Sequence, residues 1–212
     1  QVQFFILLVI TSVLIVTFWN YQNTATFFNN FRASFFNTIS IFTGTGYTTQ
    51  DFNNWGSFVT ILFLFLMLVG GCAGSTTCGI KIFRLQILYQ SAKIQIFKLL
   101  NPHGVSVAKY NKMPVSESIS SSVMGYFFMF IIIYILITLI LSFVGNDFLT
   151  SLSGAATSLA NVGPGLGNVI GPTKTFAALS DTTKWVLIIG MLTGRLELLS
   201  VIILLTPAFW KN

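Results

Sequence analysis

The sequence predicts an all-α integral membrane fold of two pseudo-repeated helix–pore loop–helix units, on three observations. Only 8% of the 212 residues are charged and 54% are hydrophobic, with a mean hydropathy of +0.80; a soluble domain carries roughly a quarter charged residues. The apolar residues fall into runs long enough to cross a bilayer as helices. Between those runs lie two shorter segments that each end in a glycine-rich turn, and the segments repeat. Phe31, Ser34 and Gly46 recur as Phe148, Ser151 and Gly163 at one constant offset.

Val2 to Phe18 is almost wholly apolar and nearly long enough to span. It has no basic leader and no small-residue cleavage site, which argues against a signal peptide. Its abrupt start at Gln1 is expected of a fragment lacking its N-terminal part. Trp19 to Thr24 is polar and aromatic, as at a membrane interface. Ala25 to Phe42 is too short and too polar to cross, so a helix that dips part-way is expected. Its Phe27, Phe28, Phe31, Phe35 and Ile39 recur at helical spacing and are expected to face neighbouring helices. Ile41-Phe42-Thr43-Gly44-Thr45-Gly46-Tyr47-Thr48-Thr49 follows. Glycine permits positive φ and leaves carbonyls bare of side chains, and inward carbonyls can replace an ion's water shell. The C-terminus of the preceding helix favours a cation at its tip. This stretch therefore reads as one quarter of a cation selectivity filter. Asp51 either concentrates cations at the outer mouth or is a solvated loop acid.

Trp55 to Val69 starts the next span. Gly70-Gly71-Cys72-Ala73-Gly74-Ser75-Thr76-Thr77-Cys78-Gly79 then breaks it. Each glycine costs about 1 kcal/mol in a helix interior, so an irregular intramembrane loop is expected before helix resumes over Ile80 to Leu100. Gly74 to Lys81 nearly matches a phosphate-binding loop, but Ile80 separates Gly79 from Lys81 and no strand precedes, so the nucleotide reading fails. Asn101 to Ser118 is a polar linker with Asn101-Pro102 and Met113-Pro114 as breakers. Six of the eleven Lys and Arg residues (Lys81, Arg84, Lys93, Lys98, Lys109 and Lys112) lie between Gly79 and Glu117. The positive-inside rule makes that side cytoplasmic. Their spacing along a segment that joins spans argues against nucleic-acid binding.

Ser116-Glu117-Ser118 is expected to cap a spanning helix over Ile119 to Val144, which Gly145-Asn146-Asp147 ends on the outside. The second turn is Asn161-Val162-Gly163-Pro164-Gly165-Leu166-Gly167. Gly171 to Thr183 is an outer loop, and Lys184 to Thr206 the last span, with Pro207 and Phe209-Trp210-Lys211 at its cytoplasmic end. Gly190 and Gly194 predict close helix packing. Arg195 is costly in an apolar helix, and Glu197, two residues on, does not face it. The carbonyls of the Gly70–Gly79 loop are its candidate partners; the alternative is that Arg195 snorkels inward with Lys211. Cys72 and Cys78 give no disulfide framework and read as free thiols. Domain boundaries are expected at 1–100 (span, pore helix, filter, broken span), 101–118 (cytoplasmic linker) and 119–212 (second unit).

Gly-Gly-Cys-Ala-Gly-Ser-Thr-x-x-Gly-Ile-Lys at Gly70 to Lys81, Asn-Val-Gly-Pro-Gly-Leu-Gly at Asn161 to Gly167, and Gly-Arg-Leu-Glu-Leu at Gly194 to Leu198 resemble the Trk/Ktr/HKT potassium-uptake family, most closely its bacterial TrkH branch. The resemblance covers essentially the whole chain and implies a potassium-channel-like fold. It implies one pore built from four repeats in a single polypeptide, with this chain supplying the third and fourth. Thr45, Gly46, Tyr47 and Thr48, with Asn161, Val162, Gly163 and Pro164, would be filter residues. Gly70 to Gly79 would be the gating loop, with Arg195 associated with it. The family more often has Ala-Gly where this chain has Thr77-Cys78. The resemblance further implies K⁺ as the transported ion with no cofactor or structural metal. It implies a homodimer, a cytoplasmic nucleotide-binding regulatory subunit, and a multi-pass location in the bacterial inner (plasma) membrane. The basic Lys81–Lys112 region is a docking face for that subunit, or it orients the protein and touches anionic lipid.

Two rival functions have distinct signatures. A non-conducting membrane scaffold would use the glycine turns only for packing, and they would not face a common axis. A membrane enzyme would need convergent catalytic groups, and one histidine, His103, with five acidic residues offers little material for that.

Overall fold

In the computed structural model, residues 1–21, 27–101, 109–110, 113–196, 200, 201, 203, 206, 209 and 210 are described. His103, Lys112, Glu197, Pro207 and Lys211 lie outside them. The chain is helical: α1 (Val2–Tyr21), α2 (Phe27–Phe42), α3 (Ser57–Leu68), α4 (Ile82–Leu100), α5 (Glu117–Phe143), α6 (Phe148–Ala160), α7 (Gly167–Ile170) and α8 (Asp181–Arg195). Short 3₁₀ turns at Phe52–Trp55 and Phe176–Ala178 precede α3 and α8. Within the linker, β1 (Lys109–Tyr110) pairs antiparallel with β2 (Met113–Pro114).

Among the described residues, two helices, α1 and α5, are long and apolar enough to cross a membrane; α3 is a shorter apolar helix. Leu7, Leu14 and Phe18 on α1 and Phe128, Leu136 and Phe143 on α5 are exposed. That is the surface a lipid-facing helix presents, because hydrocarbon does not drive apolar side chains inward.

The most enclosed element is α6, where every residue from Thr150 to Ala160 except Leu152 is buried. Its glycine, alanine and serine side chains are small, so α3, α5 and α8 all approach it. One apolar cluster joins α1, α2, α3 and α6, with Phe52, Trp55 and Phe63 in edge-on ring contact. A second cluster joins α5, α6 and α8 through Phe130, Ile137, Leu141, Leu159 and Leu187.

Caps set the helix starts. The Ser116 side chain accepts from the Ile119 N–H, so α5 begins at Glu117 rather than Ile119. The Ser180 side chain accepts from the Thr183 N–H, so α8 begins at Asp181 rather than Lys184. Asp51 does not stand free at the outer mouth. Its carboxylate accepts from the Asn53 N–H at 3.1 Å and from the Thr173 hydroxyl at 3.3 Å, and it caps the first 3₁₀ turn.

The aromatic face of α2 is left uncovered by the other described helices of this chain. Phe27, Phe28, Phe31 and Phe35 are exposed, and three of them line up ring against ring along the outside. The face that α2 buries is Ala33, Ser34, Asn37 and Thr38. Narrow side chains let α1 come close, and bulky rings at those positions would hold it off.

Candidate functional site

Both short helices run into the same backbone path. Beyond α2, Gly44 has φ +65. Beyond α6, the corresponding residue is Asn161 with φ 52, the one positive φ outside glycine among the described residues. One residue on, the Thr45 N–H donates to Ser40 C=O at 2.9 Å and the Val162 N–H donates to Thr157 C=O at 3.2 Å. Gly46 (φ +78) and Gly163 (φ +113) follow. Thr43-Gly44-Thr45-Gly46 and Ala160-Asn161-Val162-Gly163 share only the last residue, yet they trace the same turn.

This path fixes the direction of the peptide dipoles. The N–H groups point back into the helix ends. Among the described residues, no carbonyl from Thr43 to Tyr47 or from Asn161 to Gly163 accepts a protein hydrogen bond. Carbonyls at membrane depth need partners, and a partly dehydrated cation is one. The two turns also lie side by side. A Cβ built on Gly163 would sit 3.8 Å from Gly46 Cα, and one built on Gly46 would meet Val162 C=O and come within 3.2 Å of Pro164 Cδ. Thr45, Tyr47 and Gly163 are exposed, Gly46, Thr48, Asn161 and Pro164 half-buried, and Val162 buried.

Side chains that the sequence reading missed brace these turns. Asn37 on α2 accepts from the Thr49 N–H at 3.1 Å and donates to the Thr49 hydroxyl at 2.9 Å. Thr157 and Ser153 on α6 accept from the N–H groups of Gly163 and Leu166, each at 2.9 Å. Asn53 joins the two units: its amide accepts from the Gly167 N–H at 3.0 Å and donates to Gly167 C=O at 3.1 Å. Amide and hydroxyl residues on the buried faces of both short helices were the available signal for the first three. Asn53→Ala leaves the buried Gly167 N–H unpaired, which costs about 1–3 kcal/mol. A lower thermal unfolding midpoint of the full-length protein in detergent is expected, and an unchanged midpoint would remove the clamp.

Beneath the first turn, α3 stops at Leu68 and α4 starts at Ile82. The intervening chain is pinched at its neck. Val69 and Ile80 form a parallel bridge, the Gly70 N–H donates to Ile80 C=O, and the Ile80 N–H donates to Leu68 C=O, both at 2.9 Å. Gly70, Gly71 and Gly79 are buried at this neck, Cys72, Ser75, Thr77 and Cys78 half-buried, and Ala73, Gly74 and Thr76 exposed at the tip. Arg195, at the end of α8, donates from Nη1 to Thr76 C=O at 2.8 Å and lies 3.9 Å from Cys78 Sγ. One turn earlier on α8, Met191 C=O accepts from Asn161 Nδ2 at 3.1 Å. Helix α8 thus touches the second turn and the broken-span loop at once.

The TrkH family profile, described as a cation transport protein, matches residues 1–211. The chain is 44% identical over all 212 residues to the Trk system potassium uptake protein TrkI of Halomonas elongata, covering 43% of that protein. It is 37% identical over 185 residues to TrkH of Vibrio parahaemolyticus, covering 87% of this chain and 38% of that one. The crystal structure of the Vibrio parahaemolyticus potassium transporter TrkH superposes with a TM-score of 0.90 at 33% identity, covering 98% of this chain and 44% of that one. The chain therefore spans less than half the length of the curated relatives it matches. With that profile matched from end to end, the chain belongs to the TrkH family of membrane cation transport proteins.

Proposed function

We propose that this chain forms the third and fourth repeats of a channel-like potassium uptake protein. The observation that carries the reading is the pair of adjacent turns whose N–H groups are all turned back and whose carbonyls are free. Thr45 to Thr48 and Asn161 to Pro164 supply two of four filter quarters, and their oxygens take the place of water around K⁺. The Gly70–Gly79 loop obstructs the path beneath, and Arg195 holds it there through Thr76. Residues 1–100 and 119–212 are the two units, and 101–118 the cytoplasmic linker between them. The names of the relatives, potassium uptake proteins of Trk systems, support K⁺ as the ion. The whole protein works as a homodimer in the bacterial inner membrane. A cytoplasmic nucleotide-binding subunit docks against the basic Lys81–Lys112 region.

The test is radioactive rubidium uptake by the full-length protein in vesicles, with K⁺ or Na⁺ as competitor. Uptake that K⁺ suppresses and equal Na⁺ does not is expected. Uptake no greater than that of empty vesicles would overturn the reading.

A further inference from the structure

Four glycines between Gly70 and Gly79 leave the loop little backbone preference for one shape. Two hydroxyls supply it. The Gly71 N–H donates to Thr77 Oγ1 at 2.8 Å, and Thr77 Oγ1 lies 2.6 Å from Ser75 Oγ. Ser75 Oγ donates to Cys72 C=O at 2.6 Å. Each hydroxyl has one proton. Ser75 spends its proton on the Cys72 carbonyl, so Thr77 must donate to Ser75. The relay therefore runs one way, from the Gly71 N–H through Thr77 and Ser75 to Cys72 C=O. It ties the far arm of the loop to the near arm with no unused donor, an arrangement in which each bond polarises the next.

Thr77 also faces the filter. Its Cγ2 methyl lies 3.7 Å from where a Cβ on Gly44 would be. The preceding residue, Thr76, carries the carbonyl that Arg195 holds. The stretch Thr76-Thr77 is thus where the loop, the first turn and α8 come together.

The geometry points to Thr77 as a positioning residue of the gate: its hydroxyl locks the loop into its obstructing shape beside the first filter turn. This rests on the proposed reading of the loop as a gate. Thr77→Val keeps the shape and removes the hydroxyl; Thr77→Ser keeps the hydroxyl and removes the methyl. Ser75→Ala breaks the next link of the relay and serves if the valine variant fails to fold.

The experiment uses the full-length protein in vesicles, with any cysteine outside residues 1–212 replaced by serine. The labelling rate of Cys72 and Cys78 by a small water-soluble thiol reagent is measured beside K⁺ leak. Thr77→Val and Ser75→Ala each remove two hydrogen bonds of the relay, which shifts the closed–open balance roughly thirtyfold. Thr77→Val and Ser75→Ala should therefore raise both labelling and leak by about that factor, with Thr77→Ser labelled at the wild-type rate. Valine and wild-type proteins labelled alike, serine and valine variants labelled alike, or labelling that rises without leak would each overturn the proposal. Failure of the wild-type protein to conduct at all would sink the gate reading instead, whatever the labelling rates.

Discussion

Gly46→Ala is expected to cut potassium uptake by the full-length protein to roughly a tenth or less, and by more than either Gly163→Ala or Gly44→Ala. Two costs add at Gly46 and at neither of the others. Its φ of +78 is one that side chains rarely adopt, at a cost on the order of 1–3 kcal/mol; tenfold corresponds to about 1.4 kcal/mol. The new Cβ would also run into Val162 C=O, an oxygen of the neighbouring turn that has no protein partner to hold it. The carbonyl must swing away, and on the proposed reading the ion loses a ligand. Gly163 and Gly44 have the backbone constraint alone: the nearest atoms to a Cβ there lie at 3.8 Å and 3.7 Å. The check is rubidium uptake normalised to folded protein, judged by the size-exclusion profile of each variant in detergent. Equal uptake by Gly46→Ala and wild type would dissolve the idea that these carbonyls meet an ion. Equal losses at all three glycines would leave only a generic need for flexible turns.

The repeat is legible because Phe31, Ser34 and Gly46 recur as Phe148, Ser151 and Gly163 at one offset, and the broken span because four glycines fall within ten residues of an apolar run. Asn161 shows where sequence reading stops. It occupies the position of Gly44 and adopts the same left-handed backbone, which asparagine enters more readily than most residues, with its side chain held by Met191 C=O; residue identity conceals the match. Asn53 is invisible for another reason, since its partner Gly167 lies in the other unit and no local pattern marks it. The phenylalanines of α2 mark a face that this chain leaves uncovered. Their period marks one face of a helix, yet in a bilayer an apolar face is as well satisfied outward as inward. On such helices the small and polar residues are the better guide to the packed side, and α6 obeys the same rule.

Gly194→Val is expected to leave little folded full-length protein, and Gly194→Ala to destabilise it by about 1–3 kcal/mol, the usual range for an overpacked contact. A Cβ on Gly194 would lie 2.7 Å from the carbonyl carbon of Leu159 and 3.0 Å from its Cα. Those are backbone atoms of α6 and cannot rotate aside. Gly190→Ala meets mainly the Ser158 side chain, at 2.7 Å from Oγ, and a hydroxyl can turn, so its effect should be smaller. Leu159 stands two residues before Asn161, where the second glycine turn begins, so a backbone shift at this contact is carried directly into the turn. The same shift would also strip Asn161 of Met191 C=O and move Arg195 away from Thr76. Gly194→Ala protein that still folds should therefore lose rubidium uptake out of proportion to its lost stability, whereas Asn53→Ala should lose the two in step. A Gly194→Ala variant with wild-type unfolding midpoint and wild-type uptake would mean that α8 does not sit against α6 as closely as this geometry requires.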